Sequence, residues 1–232
     1  MGSRAWLLAL PIVSGPALAA GPPAVAPTPL AELPLVELPA TGPDRRMAIV
    51  WSGDGGWRDL DKVIGEKLAE EGIAVVGVDV LHYFWSKKSP EQVAADLGAV
   101  IGHYSEAWDR PEVMLVGYSF GADILPFAYN RLPEAARARV GQISLLALST
   151  FADFEVHVAG WITDGRYPDS VDTAPELAKL SGVKVQCFYG MDDKGSGCTL
   201  PELKGAEVIA TTGGHHFDGD YAALARRILN GG

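Results

Sequence analysis

Ser119 sits in Gly117-Tyr118-Ser119-Phe120-Gly121, between the apolar run "EVMLV" and the helix-favouring "ADILPFAYNRL". A serine hydroxyl is a weak nucleophile and needs a base and an orienting acid. The Gly-x-Ser-x-Gly spacing suits a sharp strand-to-helix turn that lifts the hydroxyl into the open. Gly117 and Gly121 keep side chains away where such a turn crowds its neighbours. The helix that starts behind Ser119 favours developing negative charge, and the Phe120 N–H is placed to serve an oxyanion.

A base and an acid follow in the order this elbow requires: serine, acid, histidine. The apolar run "VKVQCFYG" ends in Gly190-Met191-Asp192-Asp193, which offers an acid at a strand end. Asp193, three residues after Gly190, is the expected orienter, with Asp192 its close competitor. The run "AEVIATT" ends in Gly213-Gly214-His215-His216, where His215 is the expected base and His216 the alternate. Sites in open α/β sheets collect at strand C-termini, so the three groups are expected in one crevice. A metal site built from "GGHHFDGD" with Asp218 and Asp220 is the weaker reading, because adjacent histidines diverge and no further ligand cluster is visible. Neither a metal nor a cofactor is expected.

A second oxyanion donor is expected from the glycine-rich "VWSGDGGW", at the backbone N–H of Asp54 or Gly55. A nucleotide loop would need a further glycine or a Gly-Lys-Ser/Thr, and neither follows.

The elements that must position these groups alternate along the chain. "MAIVWS", "IAVVGVDVL", "EVMLVGY", "QISLLALS", "VKVQCFYG" and "AEVIATT" read as strands, several continuously apolar as strands covered on both faces are. Between them, "RDLDKVIGEKLAEEG" carries Leu60, Val63, Ile64 and Leu68 at helical spacing and stops at Gly72. "SPEQVAADLGAVIGHYSEAW" offers Ser89 as N-cap and Pro90 at the first helical position. Pro126 is expected to bend the helix after Ser119. Such alternation predicts right-handed crossovers and a mostly parallel sheet with helices on both faces, and with the Gly-x-Ser-x-Gly elbow it predicts one α/β-hydrolase domain over 45–232.

Ahead of that domain, Arg4, the apolar "AWLLALPIV" and Ala17-Leu18-Ala19 read as a signal peptide over 1–19. The apolar run falls short of the ~20 residues of a membrane span. Residues 20–44 read as a Pro-rich, extended lead-in. Export to an oxidising compartment, here the periplasm, makes a disulfide between Cys187 and Cys198 the expected state, clamping the acid loop at both ends.

The 232 residues are 48% hydrophobic, enough for one substantial core, and the net charge of −10 with no basic run argues against a nucleic-acid partner. Acyl transfer is the chemistry these groups serve: attack on an ester carbonyl, then hydrolysis of an acyl-enzyme.

With "VGYSFGAD", "VWSGDGGWRDLD", "VDVLHYFWSKKSPEQ" and "GGHHFDGDY" all in view, the chain resembles the bacterial virulence protein VirJ/AcvB family over nearly all of its length after the signal segment. The length matches the short VirJ type. The resemblance implies a periplasmic α/β-hydrolase, AcvB-type members being lysyl-phosphatidylglycerol hydrolases and VirJ being associated with type IV secretion. It implies an aminoacylated phospholipid as substrate at the membrane surface, with secretion-system components as further partners of an expected monomer. Asp54, Asp79 and Asp123 near the expected crevice suit a cationic aminoacyl group; the alternative for Asp123 is helix N-terminal charge complementarity. Tyr83, Phe84, Trp85 and the residues around Trp161 are expected either as a lipid-facing rim or as core beneath the crevice, with Lys87 and Lys88 favouring a membrane-facing loop. Segment 150–172 is irregular and is a candidate lid. Two other functions compete: a binding or chaperone factor for secretion that retains the fold, and a general carboxylesterase acting on soluble esters.

Overall fold

The computed structural model describes residues 25–157 and 166–230. The expected signal peptide and Trp161 lie outside them. The strands are β1 (Leu35–Leu38), β2 (Arg46–Trp51), β3 (Ala74–Val78), β4 (Glu112–Tyr118), β5 (Val140–Leu146), β6 (Phe151–Ala152), β7 (Val171–Asp172), β8 (Lys184–Gly190) and β9 (Glu207–Thr211). The helices are α1 (Asp59–Glu70), α2 (Val80–Tyr83), α3 (Pro90–Ala107), α4 (Phe120–Asn130), α5 (Glu134–Arg137), α6 (Ala174–Leu177) and α7 (Tyr221–Asn230).

Seven strands form one sheet in the order β1-β3-β2-β4-β5-β8-β9. Every pairing is parallel except β1 on β3. The side-chain alternation of β2 shows why both faces are covered. Met47, Ile49 and Trp51 point into one core with α3 and α4, while Ala48 and Val50 point into the other with α1 and α7. Leu60, Ile64 and Leu68 form the buried stripe of α1, as their spacing requires. Ser89 caps α3, its hydroxyl accepting the Gln92 N–H at 3.1 Å, with Pro90 at the first turn. α4 runs continuously through Pro126.

Two boundaries differ from the sequence expectation. The lead-in is not separate from the domain: Leu35–Leu38 pairs with Val75–Val78 as the antiparallel edge strand, and the Thr28 N–H and hydroxyl both donate to Asp96. The domain therefore starts before residue 45. β3 also ends earlier than its apolar run, because the Asp79 carboxylate accepts the His82 N–H at 3.2 Å and starts α2. Segment 150–172 contributes the short antiparallel pair β6–β7 at the crevice.

Candidate active site

Ser119 follows β4 directly and has φ +50° and ψ −118°, a conformation that costs a non-glycine residue on the order of 1–3 kcal/mol. The surroundings enforce it. Ser119 donates its N–H to Leu146 O on β5 at 2.9 Å, and its own carbonyl accepts the Asp123 N–H at 3.0 Å. A side chain at Gly117 would lie 2.6 Å from the Gly121 backbone, and one at Gly121 would lie 2.4 Å from Trp51 O. Both positions exclude any Cβ, which is what the pentapeptide spacing encodes.

The Ser119 hydroxyl meets His215 Nε2 at 2.8 Å. His215 Nδ1 in turn lies 3.1 Å from Asp193 Oδ2. A hydroxyl donating to Nε2 and an Nδ1–H donating to the carboxylate fix one tautomer of the ring. Asp193 is held by its own turn, donating its N–H to Gly190 O at 2.9 Å, and its Oδ1 accepts the Gly195 N–H at 3.3 Å. Asp192 is exposed and contributes its backbone instead, donating to Gly213 O at 2.9 Å and tying the acid loop to the histidine loop. A disulfide joins Cys187 on β8 to Cys198 beyond that loop.

His216 turns the other way and meets the Tyr118 hydroxyl at 2.6 Å. Burial raises the Tyr118 pKa well above its ordinary value, so the phenol stays protonated at this contact. Asp218 and Asp220 are occupied locally: Asp218 accepts the Thr212 hydroxyl and Asp220 accepts the Ala223 N–H. The two histidines thus serve different partners, and no group of three or more potential metal ligands exists among the described residues.

Phe120 opens α4 beside Ser119. Across from it, Gly56 closes a turn onto Gly53 O at 3.1 Å. Asp54 borders the crevice on both sides of Ser119, whereas Gly55 lies against the Arg58 guanidinium and reaches only one. Of the two expected backbone donors, Asp54 is thus the one that borders both lobes.

Ser119 stands where two lobes of the crevice meet. One, of about 630 Å³, is bordered by Phe151, Asp153, Glu155 and Tyr167. The other, of about 900 Å³, runs along Gly53–Gly56 and the first turn of α1 to Tyr221. In the first lobe, Phe151, Asp153 and Glu155 face the crevice while Ala152 and Phe154 are buried. That is the period-two alternation of extended chain. "FADFE" carried the signal, but only an extended reading of the segment brings both carboxylates to one face. The described lining of this lobe includes no Lys or Arg.

Three residues expected to touch substrate do not border either lobe. Asp123 is buried, and its Oδ1 accepts the Ser149 N–H at 2.7 Å, anchoring the backbone beneath the crevice. Tyr83 is buried too, its hydroxyl donating to Asp96 at 2.5 Å. Its ring lies edge-on to Trp51, and Phe84 packs on Phe120 with ring centres 4.9 Å apart. Trp85 is 67% exposed but stands away from both lobes. Aromatic type alone did not distinguish core from rim. Asp79, capping α2 and paired with His82 at 2.9 Å, likewise serves structure.

A strained serine after a central parallel strand, with an acid and a histidine at later strand ends, defines the α/β-hydrolase fold. Residues 45–231 match the family described as bacterial virulence protein (VirJ), and the chain belongs to that family. Among solved structures, the chain is similar to Est1E from Butyrivibrio proteoclasticus with ferulic acid bound, with a TM-score of 0.61 and 13% identity over 84% of this chain and 92% of that one. An esterase domain from a Rhodothermus marinus protein gives 0.56 and 14% over 84% and 88%. The thioesterase domain of the curacin biosynthetic pathway gives 0.55 and 17% over 84% and 94%. At these identities the likeness speaks to fold. No curated protein sequence matches the chain. No helix among the described residues is long and apolar enough to cross a membrane.

Proposed function

We propose that the protein is an exported serine esterase that removes the aminoacyl group from an aminoacylated phospholipid headgroup of the lysyl-phosphatidylglycerol type. The observation that carries the esterase reading is the continuous contact chain Ser119–His215–Asp193. Ser119 Oγ attacks the ester carbonyl as its proton passes to His215 Nε2, and Asp193 stabilises the imidazolium. The Phe120 and Asp54 N–H groups receive the oxyanion. Collapse expels the glycerol alcohol, which takes the proton from His215. Water, deprotonated by the same ring, then attacks the acyl-enzyme and releases the amino acid and free Ser119.

The cationic acyl group is supported by the carboxylates of Asp54, Asp153 and Glu155 around the first lobe, which attract an ammonium group without a competing Lys or Arg among its described lining residues. The disulfide suits an oxidising compartment such as the periplasm. The test is hydrolysis of lysyl-phosphatidylglycerol in vesicles by the wild type and Ser119→Ala, with p-nitrophenyl acetate as the neutral soluble comparison. Release of lysine by the wild type alone is expected. Turnover of only the soluble ester would replace the lipid reading with a general carboxylesterase, and full activity of Ser119→Ala would end the esterase reading.

A further inference from the structure

Asp61 belongs to a wall of the candidate site that residue types alone do not single out. It lies on the first turn of α1, is only 3% exposed, and borders the lobe that contains Ser119, His215 and His216. Its Oδ1 has no hydrogen-bond partner among the described residues. A buried carboxyl oxygen left unpaired is costly and calls for an explanation. The Gly53 backbone N–H is near enough to this carboxyl to favour its ionised form, against the effect of burial. Gly53 immediately precedes Asp54, the residue whose N–H the proposed mechanism uses for the oxyanion. The ring of Tyr118 closes on the other side of Gly53, 3.2 Å from where a Cβ would stand.

We propose that the Asp61 carboxyl is a positioning group for the oxyanion loop, and that its protonation state gates hydrolysis at Ser119. The inference rests on the serine-esterase reading above. A carboxyl packed beside the Gly53 amide restrains the peptide that follows it, and a donor must be held within a fraction of an ångström to stabilise an oxyanion. The neutral acid does this without placing charge beside the reacting centre. Ionised, the same group puts a buried negative charge next to a developing negative charge, which raises the barrier.

The surroundings favour the neutral form. Burial pushes the Asp61 pKa up to about 8, and the charges of Asp59 on α1 and Asp79 after β3 push in the same direction; the two backbone N–H groups only partly offset this. The other charged or titratable groups around this wall are Arg58, Asp54, Tyr118, His215, His216 and Tyr221. Arg58 is drawn toward Asp59 at 3.6 Å and is largely exposed. Tyr118 keeps its proton throughout the range, since burial and nearby carboxylates raise its pKa.

The test compares the pH dependence of kcat/KM for p-nitrophenyl acetate in the wild type, Asp61→Asn, Asp61→Ala and Ser119→Ala. The rate at which a fluorophosphonate labels Ser119, read by intact mass, is a second readout. Above a midpoint near pH 8, wild-type activity is expected to fall about tenfold per pH unit, as one ionisation dictates. Asp61→Asn, neutral at every pH, keeps its activity at pH 7 within about threefold and lacks the fall. Asp61→Ala loses about tenfold in kcat with KM nearly unchanged, because loop position and not binding is lost. A wild type that shows no fall between pH 7 and 9.5, or an Asp61→Asn with the same fall, overturns the inference. If the variants fail to fold, the wild type decides alone: a carboxyl ionises with almost no enthalpy, so the midpoint stays put on warming. A midpoint that drops on warming, as for an imidazole, phenol or ammonium, overturns the inference. Full activity in Ser119→Ala would instead remove the esterase reading on which it stands.

Discussion

His215 Nδ1 faces Asp193 Oδ2 at 3.1 Å, and the neighbouring residue Asp192 joins the same two loops through its backbone, donating to Gly213 O at 2.9 Å. The carboxylate that orients the ring and the amide that fixes the loop spacing are thus adjacent in sequence and distinct in role. Asp193→Asn should leave the fold intact but present the wrong hydrogen-bond partner to Nδ1, with kcat falling about 10³–10⁴-fold. Asp192→Asn keeps the backbone donor and should stay within about threefold of wild type. Steady-state kinetics on one ester substrate decides the matter; equal losses in the two variants would mean that Asp193 is not the orienter.

The crevice carboxylates make a charge-specific prediction. Asp153 accepts the Ser170 hydroxyl, while Glu155 lines the lobe and makes no hydrogen bond among the described residues, although Lys87 lies within electrostatic reach of it. Glu155→Gln should raise KM for a lysyl ester about tenfold at low salt while leaving a neutral acetyl ester unchanged. Raising the ionic strength should shrink the difference, because the site is open to solvent and its charges are screened. An equal effect on cationic and neutral esters would remove Glu155 from substrate recognition.

The disulfide encloses the acid loop, with Asp192 and Asp193 between Cys187 and Cys198. Cross-linking removes conformations from the unfolded chain, so replacing both cysteines by alanine should cost about 2–4 kcal/mol. A slacker loop also holds Asp193 less well. In denaturant melts the reduced or doubly substituted protein should unfold earlier, and kcat should fall in conditions where the protein is still folded. Unchanged kcat with lowered stability would restrict the bond to a structural role.

How much of this was legible follows from the range of the interactions. The parallel strands were visible because each is apolar on both faces over its own few residues. β1 was not, since "LVEL" sits in a proline-rich run and becomes a strand only through its pairing with Val75–Val78, some forty residues later in the chain. The elbow and the order of its partners were readable from glycines and strand ends. The choice between Asp192 and Asp193, and between His215 and His216, depended on turn geometry that residue type does not specify. Tyr83 and Asp123 were expected at the crevice because aromatic rings and carboxylates suit a substrate. In the fold each is bonded to another group instead: Tyr83 donates to Asp96, and Asp123 accepts the Ser149 N–H. Asp61 gave no signal at all, as an acid in the first turn of a helix is an ordinary surface choice.

Asp123 carries the last prediction, on stability against pH. It is buried on α4, and burial holds its carboxyl well above the ordinary carboxylate range, although the Ser149 N–H works against the shift. The folded protein therefore keeps this proton at pH values where the unfolded chain has already lost it. The stability associated with the neutral acid is fully present below about pH 4 and is lost as pH rises toward and through the folded pKa. Carboxylates with lowered values, such as Asp44 beside Arg46, act in the opposite direction, so the slope of the wild type alone is not diagnostic. The difference between variants is. Asp123→Asn retains an oxygen for the Ser149 N–H and cannot ionise, so its melting temperature relative to wild type should climb from pH 5 to pH 8. Asp61 is present in both proteins and cancels. Calorimetric melts at several pH values read the difference directly, and a gap that stays constant across that range would show that Asp123 is not held protonated in the fold.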